Sequence, residues 1–281
     1  MRVDAHQHFW VYRPSEYGWI DDSMSVLRRN FLPQDVKPEM DRAGFDGCVA
    51  VQARQSTEET RWLLELAAES SFIAGVVGWF DLQSLEVRSE LQSLAGHPKL
   101  VGVRHIAQSE PDDGFLLRPE FLRGISLLEE FDLTYDILIY PKHLPVAVEL
   151  VRRFPRQRFV LDHLAKPRIK EKLLHPWEEE IRELAKSPNV YGKLSGVVTE
   201  ADWQDWKIAD FEPYFDIAFD SFGADRLMIG SDWPVCTVAA SYSTTMNIVR
   251  QLMDGCTPDA HIKVLGTNAQ RCYRLSVGTN E

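Results

Sequence analysis

The sequence predicts a single (β/α)8 TIM barrel of the α/β class, covering residues 1–281, on three observations. Eight short β-branched and aliphatic runs recur along the chain, helix-like charged stretches separate them, and polar residues close many of the runs. This alternation is the signature of successive βα units, and 281 residues is a length that eight such units use. A doubly wound open sheet also alternates strand and helix, but no GxGxxG follows the first strand. Proline and glycine, 15 and 16 in number, are spread through the turns instead of gathering into a linker, which favours one domain over two.

The first strand covers residues 2–6. Residues 9–45, carrying Trp10, Tyr12, Tyr17 and Trp19, read as an extended active-site loop followed by a helix over about 33–43. The second strand, 47–52, holds Cys48 as a small buried hydrophobe. Residues 58–70 then place Trp62, Leu63, Leu66 and Ala67 on one stripe with Glu65 and Glu69 beside it, an amphipathic helix with one face for a sheet. Strands follow at 73–80, 100–106 and 134–139. A helix at 144–154 leads to a strand at 159–162, and a helix at 177–186 leads to a strand at 190–194. The helix 211–222 precedes the eighth strand, 227–230, and Gly266-Thr267-Asn268-Ala269 reads as a cap for the last helix.

Composition narrows the function classes. A formal net charge of −11 argues against a nucleic-acid polyphosphate partner. The apolar runs, such as residues 72–80, are too short to cross a bilayer, and the N-terminus lacks a signal-peptide pattern. The four cysteines show no CxxC spacing, so a disulfide scaffold or a cysteine zinc cage is not expected. The expectation is a soluble cytoplasmic protein acting on a small molecule.

In a (β/α)8 barrel the chemistry gathers at the C-terminal ends of the strands. The first strand ends His6-Gln7-His8, and residues two apart in an extended chain point to the same side. The sixth ends Leu161-Asp162-His163, and the eighth runs into Ser231-Asp232-Trp233-Pro234. His6, His8, His163 and Asp232 then meet at one end of the barrel. Two or three imidazoles and a carboxylate can hold one Zn²⁺ with an open position, where bound water reaches a pKa of about 7. Without metal, Asp232 can take a proton from water while the histidines polarise a carbonyl. The fourth strand ends Arg104-His105: the arginine suits a carboxylate or a hydroxyl-rich substrate, and His105 can donate to a carbonyl oxygen. Gln52 and Lys193 either contact substrate or serve a buried network. Trp19, Trp79 and Trp233, with Trp10, either wall the site or pack between strand and helix.

Five ordered blocks carry a further signal: Asp4-Ala5-His6-Gln7-His8-Phe9-Trp10, Gly102-Val103-Arg104-His105, Leu161-Asp162-His163 with Lys166-Pro167, Tyr191-Gly192-Lys193-Leu194-Ser195-Gly196, and Gly230-Ser231-Asp232-Trp233-Pro234. Together they resemble the amidohydrolase superfamily, and more narrowly its sugar-lactonase and dicarboxylate-lactonase branch, which includes L-fuconolactonases, L-rhamnonolactonases and pyrone-dicarboxylate hydrolases. The resemblance implies an amidohydrolase-like barrel that opens a cyclic ester with water. It implies His6, His8, His163 and Asp232 as the core cluster with Asp232 the base that activates water, and Arg104 and His105 as groups that bind the carbonyl or ring hydroxyls; the strand-end reading adds Gln52, Trp19, Trp79, Lys193 and Trp233 as candidate substrate contacts. No lysine ends the fourth strand and no histidine lies on residues 134–139, so a carbamate-bridged metal pair is not expected. The choice is one divalent ion, most readily zinc, on His6, His8, His163 and Asp232, or none. A metal-dependent decarboxylase on the same barrel and a noncatalytic sugar-acid-binding barrel are the rival readings. The acidic charge and the single strand-end arginine favour a neutral aldonolactone over a dicarboxylate.

Overall fold

The computed structural model describes residues 1–275. Eight parallel strands form one sheet in chain order: β1 (Val3–Gln7), β2 (Gly47–Val51), β3 (Ile73–Gly78), β4 (Leu100–His105), β5 (Thr134–Ile137), β6 (Phe159–Leu161), β7 (Val190–Leu194) and β8 (Leu227–Ile229). Helices α1 (Pro33–Ala43), α2 (Thr57–Glu69), α3 (Val87–Leu94), α4 (Pro119–Leu128), α5 (Leu144–Arg153), α6 (Trp177–Ala185), α7 (Ile208–Phe222) and α8 (Tyr242–Leu252) follow the strands in turn. Short helices α9 (Pro258–Ile262) and α10 (Asn268–Tyr273) end the described chain. Each expected strand and helix is present, with ends shifted by a few residues. None of these helices is long and apolar enough to cross a membrane.

The seam between β8 and β1 is closed by polar bonds instead of a regular ladder. His8 N–H donates to Trp233 O at 2.7 Å, Asp232 N–H to His6 O at 2.8 Å, and Ser231 N–H to the Asp4 carboxylate at 2.8 Å. Buried Asp4 also accepts from the Ser231 hydroxyl, at 2.6 Å. Closure leaves the sheet no edge to pair with a stranger. It also sets His6 of β1 and His8 just after it directly beside Asp232.

Two apolar layers follow from the closed sheet. The outer one lies between strands and helices and includes Phe80, Phe121, Tyr135, Phe159 and Phe215. The inner one is built from Val3, Ala5, Val49, Val51, Val77, Val101, Val160 and Met228, with Cys272 and Tyr273 of α10 and Leu275 joining it. The β1–β2 register slips between Asp4 and Gln7. A slip of this kind re-aims side chains, and here Ala5 joins the inner apolar layer while the next residue, His6, joins the polar groups above it.

The block 266–269 is not a cap as the sequence suggested. Lys263–Thr267 is a π-helical turn that runs from α9 into α10, and Thr267 makes no capping bond from its side chain. Gly266 is there for space, since a Cβ on it would lie 2.2 Å from Met1 O. Buried Asn268 donates from Nδ2 to Ala224 O and Leu227 O, each at 2.7 Å, and so ties α10 to the entry of β8. Asn268→Ala removes both bonds and leaves two carbonyls short of a donor. We expect a loss of about 2–3 kcal/mol in urea unfolding, with the slope of the transition unchanged; a loss under about 0.5 kcal/mol would show that the tie is dispensable.

Candidate active site

His6, His8, His163 and Asp232 meet at the C-terminal end of the barrel. Asp232 Oδ1 lies 3.3 Å from His8 Nε2, 3.7 Å from His6 Nε2 and 4.0 Å from His163 Nε2, and the two Nε2 atoms of His6 and His8 are 3.2 Å apart. All four residues are buried. Each imidazole is held from behind by its other nitrogen. His8 Nδ1 is 2.8 Å from Val51 O, and because a carbonyl only accepts, that nitrogen carries a proton and turns Nε2 toward Asp232. His163 Nδ1 is 2.9 Å from the Ser195 hydroxyl. Gly196 permits this: a Cβ there would lie 2.5 Å from His163 Nδ1, and its φ of +66° is open to glycine.

His6 rests on a buried ionic lattice. Its Nδ1 is 3.1 Å from Lys193 Nζ and 3.3 Å from Asp162 Oδ1. Lys193 Nζ donates to Asp136 at 2.6 Å and pairs with Asp162 at 2.9 Å, Arg104 donates to Asp162 at 3.0 Å, and the Tyr273 hydroxyl donates to Asp136 at 2.7 Å. Burial works against charge on these groups. The facing charges outweigh it at Lys193, held above the ordinary lysine range, and at Asp162, held well below the carboxylate range, whereas at Asp136 burial prevails over the pull of Lys193 and raises the pKa. Burial pushes His6 well below its usual pKa and His163 down to about 4, so both are neutral near pH 7. Burial works against the ionised form of Asp232, yet the facing imidazoles of His163, His8 and His6 prevail and keep it ionised.

The chemistry of this donor set fits a cation. Imidazole nitrogens and one carboxylate oxygen converge, and the separations of 3.2, 3.3 and 3.7 Å among His6, His8 and Asp232 are near the roughly 3.3–3.4 Å edge of a tetrahedron with metal bonds of about 2.0–2.1 Å. His6, Asp162 and His163 form a second close trio, but Asp162 already faces Lys193 and Arg104.

A cavity of about 430 Å³ opens above the cluster, a size suited to a small molecule. His8, His163, Asp232, Arg104 and Trp19 line it. His6 lies beneath. The other expected contacts are placed elsewhere. Lys193 is wholly buried in the lattice, and Gln52 donates to Arg104 O at 3.2 Å. Trp79 Nε1 donates to His105 Nδ1 at 3.2 Å, which leaves His105 Nε2 to meet Glu110 at 2.7 Å, so neither nitrogen of His105 is free. Trp233 packs edge-on against Phe31 and Phe9. Among residues that the sequence left unassigned, Tyr140, Glu200, Gln108 and Met24 line the cavity, and Asp136 and Ser195 support the cluster. Asp136 had a signal in the sequence, an acid in the middle of the apolar run Tyr135-Asp136-Ile137.

The family model for amidohydrolases matches residues 3–275. The L-fucono-1,5-lactonase of Burkholderia multivorans is 41% identical over 286 residues, covering 98% of this chain and 96% of that protein. The L-rhamnono-gamma-lactonase of Scheffersomyces stipitis is 23% identical, covering 62% of this chain and 59% of its own. A crystal structure of an amidohydrolase from Burkholderia multivorans with bound Zn superposes with a TM-score of 0.95 at 40% identity, covering 98% of this chain and all of that one.

The cavity wall at Ala53 is braced by buried Glu59, whose Oε2 accepts from Ala53 N–H at 2.9 Å and Arg54 N–H at 2.8 Å. Burial raises its pKa to about 7, against the pull of Arg54. The folded form therefore holds a proton that the unfolded chain gives up near pH 4.5, and stability falls as pH rises from about 4.5 to 7. We expect wild-type stability relative to Glu59→Gln to drop by about 3 kcal/mol across that window in urea titrations; a difference independent of pH would contradict this.

Proposed function

The chain belongs to the amidohydrolase family, and from that premise we propose that it opens the ring of a sugar-acid lactone, with Asp232 as the base that prepares the water. One observation carries this reading: an ionised carboxylate faces three imidazoles at the floor of a cavity of about 430 Å³. The similarity to lactonases over nearly the whole chain supplies the reaction class.

Asp232 takes a proton from water as the oxygen bonds to the ring carbonyl carbon. The tetrahedral oxyanion forms beside His163 and the Arg104 guanidinium, both of which line the cavity. A well-placed donor to such an oxyanion contributes about 3 kcal/mol. The carbon–ring oxygen bond then breaks, and the proton on Asp232 passes to the departing oxygen. The product is a hydroxy acid, which ionises and releases a proton to the medium.

His6, His8 and Asp232 would hold one divalent ion, zinc by the chemistry of the donors, with His163 beside it. When bound, such an ion lowers the pKa of its water and polarises a carbonyl. The relative with bound Zn supports this assignment. A neutral lactone suits the cavity better than a dicarboxylate, because Arg104 and Lys166 already have carboxylate neighbours in Asp162 and Glu200.

The test is a pH-indicator assay on five- and six-membered aldonolactones, with the metal content of the protein measured before and after chelation. Wild type is expected to release one proton per lactone, and Asp232→Asn to lower kcat by about 10²–10⁴-fold with the melting temperature nearly unchanged. Chelation should remove one equivalent of metal together with most of the activity. Wild type inert on every lactone would overturn the function. Asp232→Asn at full rate would overturn the assignment of the base, and full activity in metal-free protein would overturn the metal.

A further inference from the structure

We propose that Lys166 and Glu200 bind a ring hydroxyl of the lactone between them and so determine which polyhydroxylated lactones are accepted, an inference that rests on the lactonase reading. Both residues line the cavity that Asp232 and His163 line, and the same pair, with Tyr140 and Thr199, lines an adjoining cavity of about 970 Å³. They therefore stand at the border of the reaction site. Their side chains keep 19% and 23% of their accessible surface.

The pair is apart by the right amount. Lys166 Nζ and Glu200 Oε1 are 3.8 Å from each other, about 1 Å beyond a charge-assisted hydrogen bond. An ammonium only donates and a carboxylate only accepts, whereas a hydroxyl does both. One sugar hydroxyl placed there accepts from Lys166 and donates to Glu200. An anionic group would be drawn to the first and repelled by the second, so the pair recognises a neutral polyol. The Tyr140 ring, its centroid 5.6 Å from Lys166 Nζ, adds a cation–π contact that favours the ammonium at this place.

The backbone beneath Lys166 is held at a cost. His163, Leu164, Ala165 and Lys166 have φ values of 53°, 50°, 59° and 55°, four consecutive left-handed residues without a glycine. Each costs about 1–2 kcal/mol. Burial of Leu164 and Ala165, a 2.7 Å bond from Trp177 Nε1 to Leu164 O, and a 2.8 Å bond from Lys166 N–H to His163 O hold the turn. The turn starts on His163 and ends on Lys166, and it presents both to one cavity. Backbone strain of this kind gathers at functional sites.

The experiment measures kcat and KM for wild type, Lys166→Met and Glu200→Gln on a 6-deoxyhexono-1,5-lactone and on analogues that each lack one ring hydroxyl. Wild type should lose about 10- to 100-fold in kcat/KM on one of these analogues, mainly through KM. Each variant should lose a similar factor on the parent lactone and no longer distinguish that analogue from it, while melting as a folded protein. The proposal is overturned if both variants keep the wild-type preference along the series, or if they lose activity equally on every lactone with KM unchanged. A wild type inert on all lactones would overturn the lactonase reading, and this proposal with it, and is told apart from those outcomes by the wild-type rates alone.

Discussion

Four charged side chains with almost no exposed surface share the interior of the barrel: Arg104, Lys193, Asp136 and Asp162. A lone charge at such a depth is strongly unfavourable, and it persists only when an opposite charge and hydrogen bonds face it. Here two cations meet two carboxylates, and the bonds that these groups make between β4, β5, the residue after β6 and β7 leave little freedom of position. His6 is seated on this lattice through Nδ1. The direction of its Nε2, and hence the place where the reacting atoms gather, is a consequence of charge balance in the barrel.

The seam that closes the barrel is the second constraint. Asp232 N–H bonds to His6 O, and His8 N–H bonds to Trp233 O. The base and the two histidines at the end of β1, His6 within it and His8 just after it, are thus neighbours through the backbone before any side chain is considered. His163 reaches the same point from the left-handed turn after β6, with Ser195 behind it. Burial keeps His6 and His163 neutral, and the Nε2 atoms of His6, His8 and His163 face a common centre with the charge of Asp232. That is the electronic arrangement that activates water or holds a cation.

Much of the architecture was legible in the sequence because its cause is local. Eight apolar runs with amphipathic stretches between them reach their low-energy form as strands and helices, and His6 and His8 share a side because of strand geometry. The convergence of His163 and Asp232 was legible only through the barrel topology, which puts strand ends together. What escaped has long-range causes. Lys193 reads equally as a substrate contact or as part of a buried network, because its partners Asp136 and Asp162 lie 57 and 31 positions away in the chain and only the closed sheet brings them to it. His105 reads as a donor until Trp79 and Glu110 occupy its two nitrogens. Lys166, in the loop after the sixth strand, reads equally as a lysine that reaches the site or as a solvated one, since four left-handed residues in a row have no signature in residue type. The 266–269 block looks like a cap because its composition matches one, while the close approach of Met1 explains the glycine and the bonds to Ala224 and Leu227 explain the asparagine.

The dependence of the site on balanced interior charge is tested most directly by a double-mutant cycle on Lys193 and Asp136, read by urea unfolding. Lys193→Met leaves two buried carboxylates facing each other and should cost about 3–5 kcal/mol, and Asp136→Asn should be clearly destabilising as well. The account predicts that the double variant is more stable than the sum of the two losses allows, by about 2 kcal/mol or more, because removing both charges restores balance and leaves Asp162 to Arg104. Losses that simply add would contradict it.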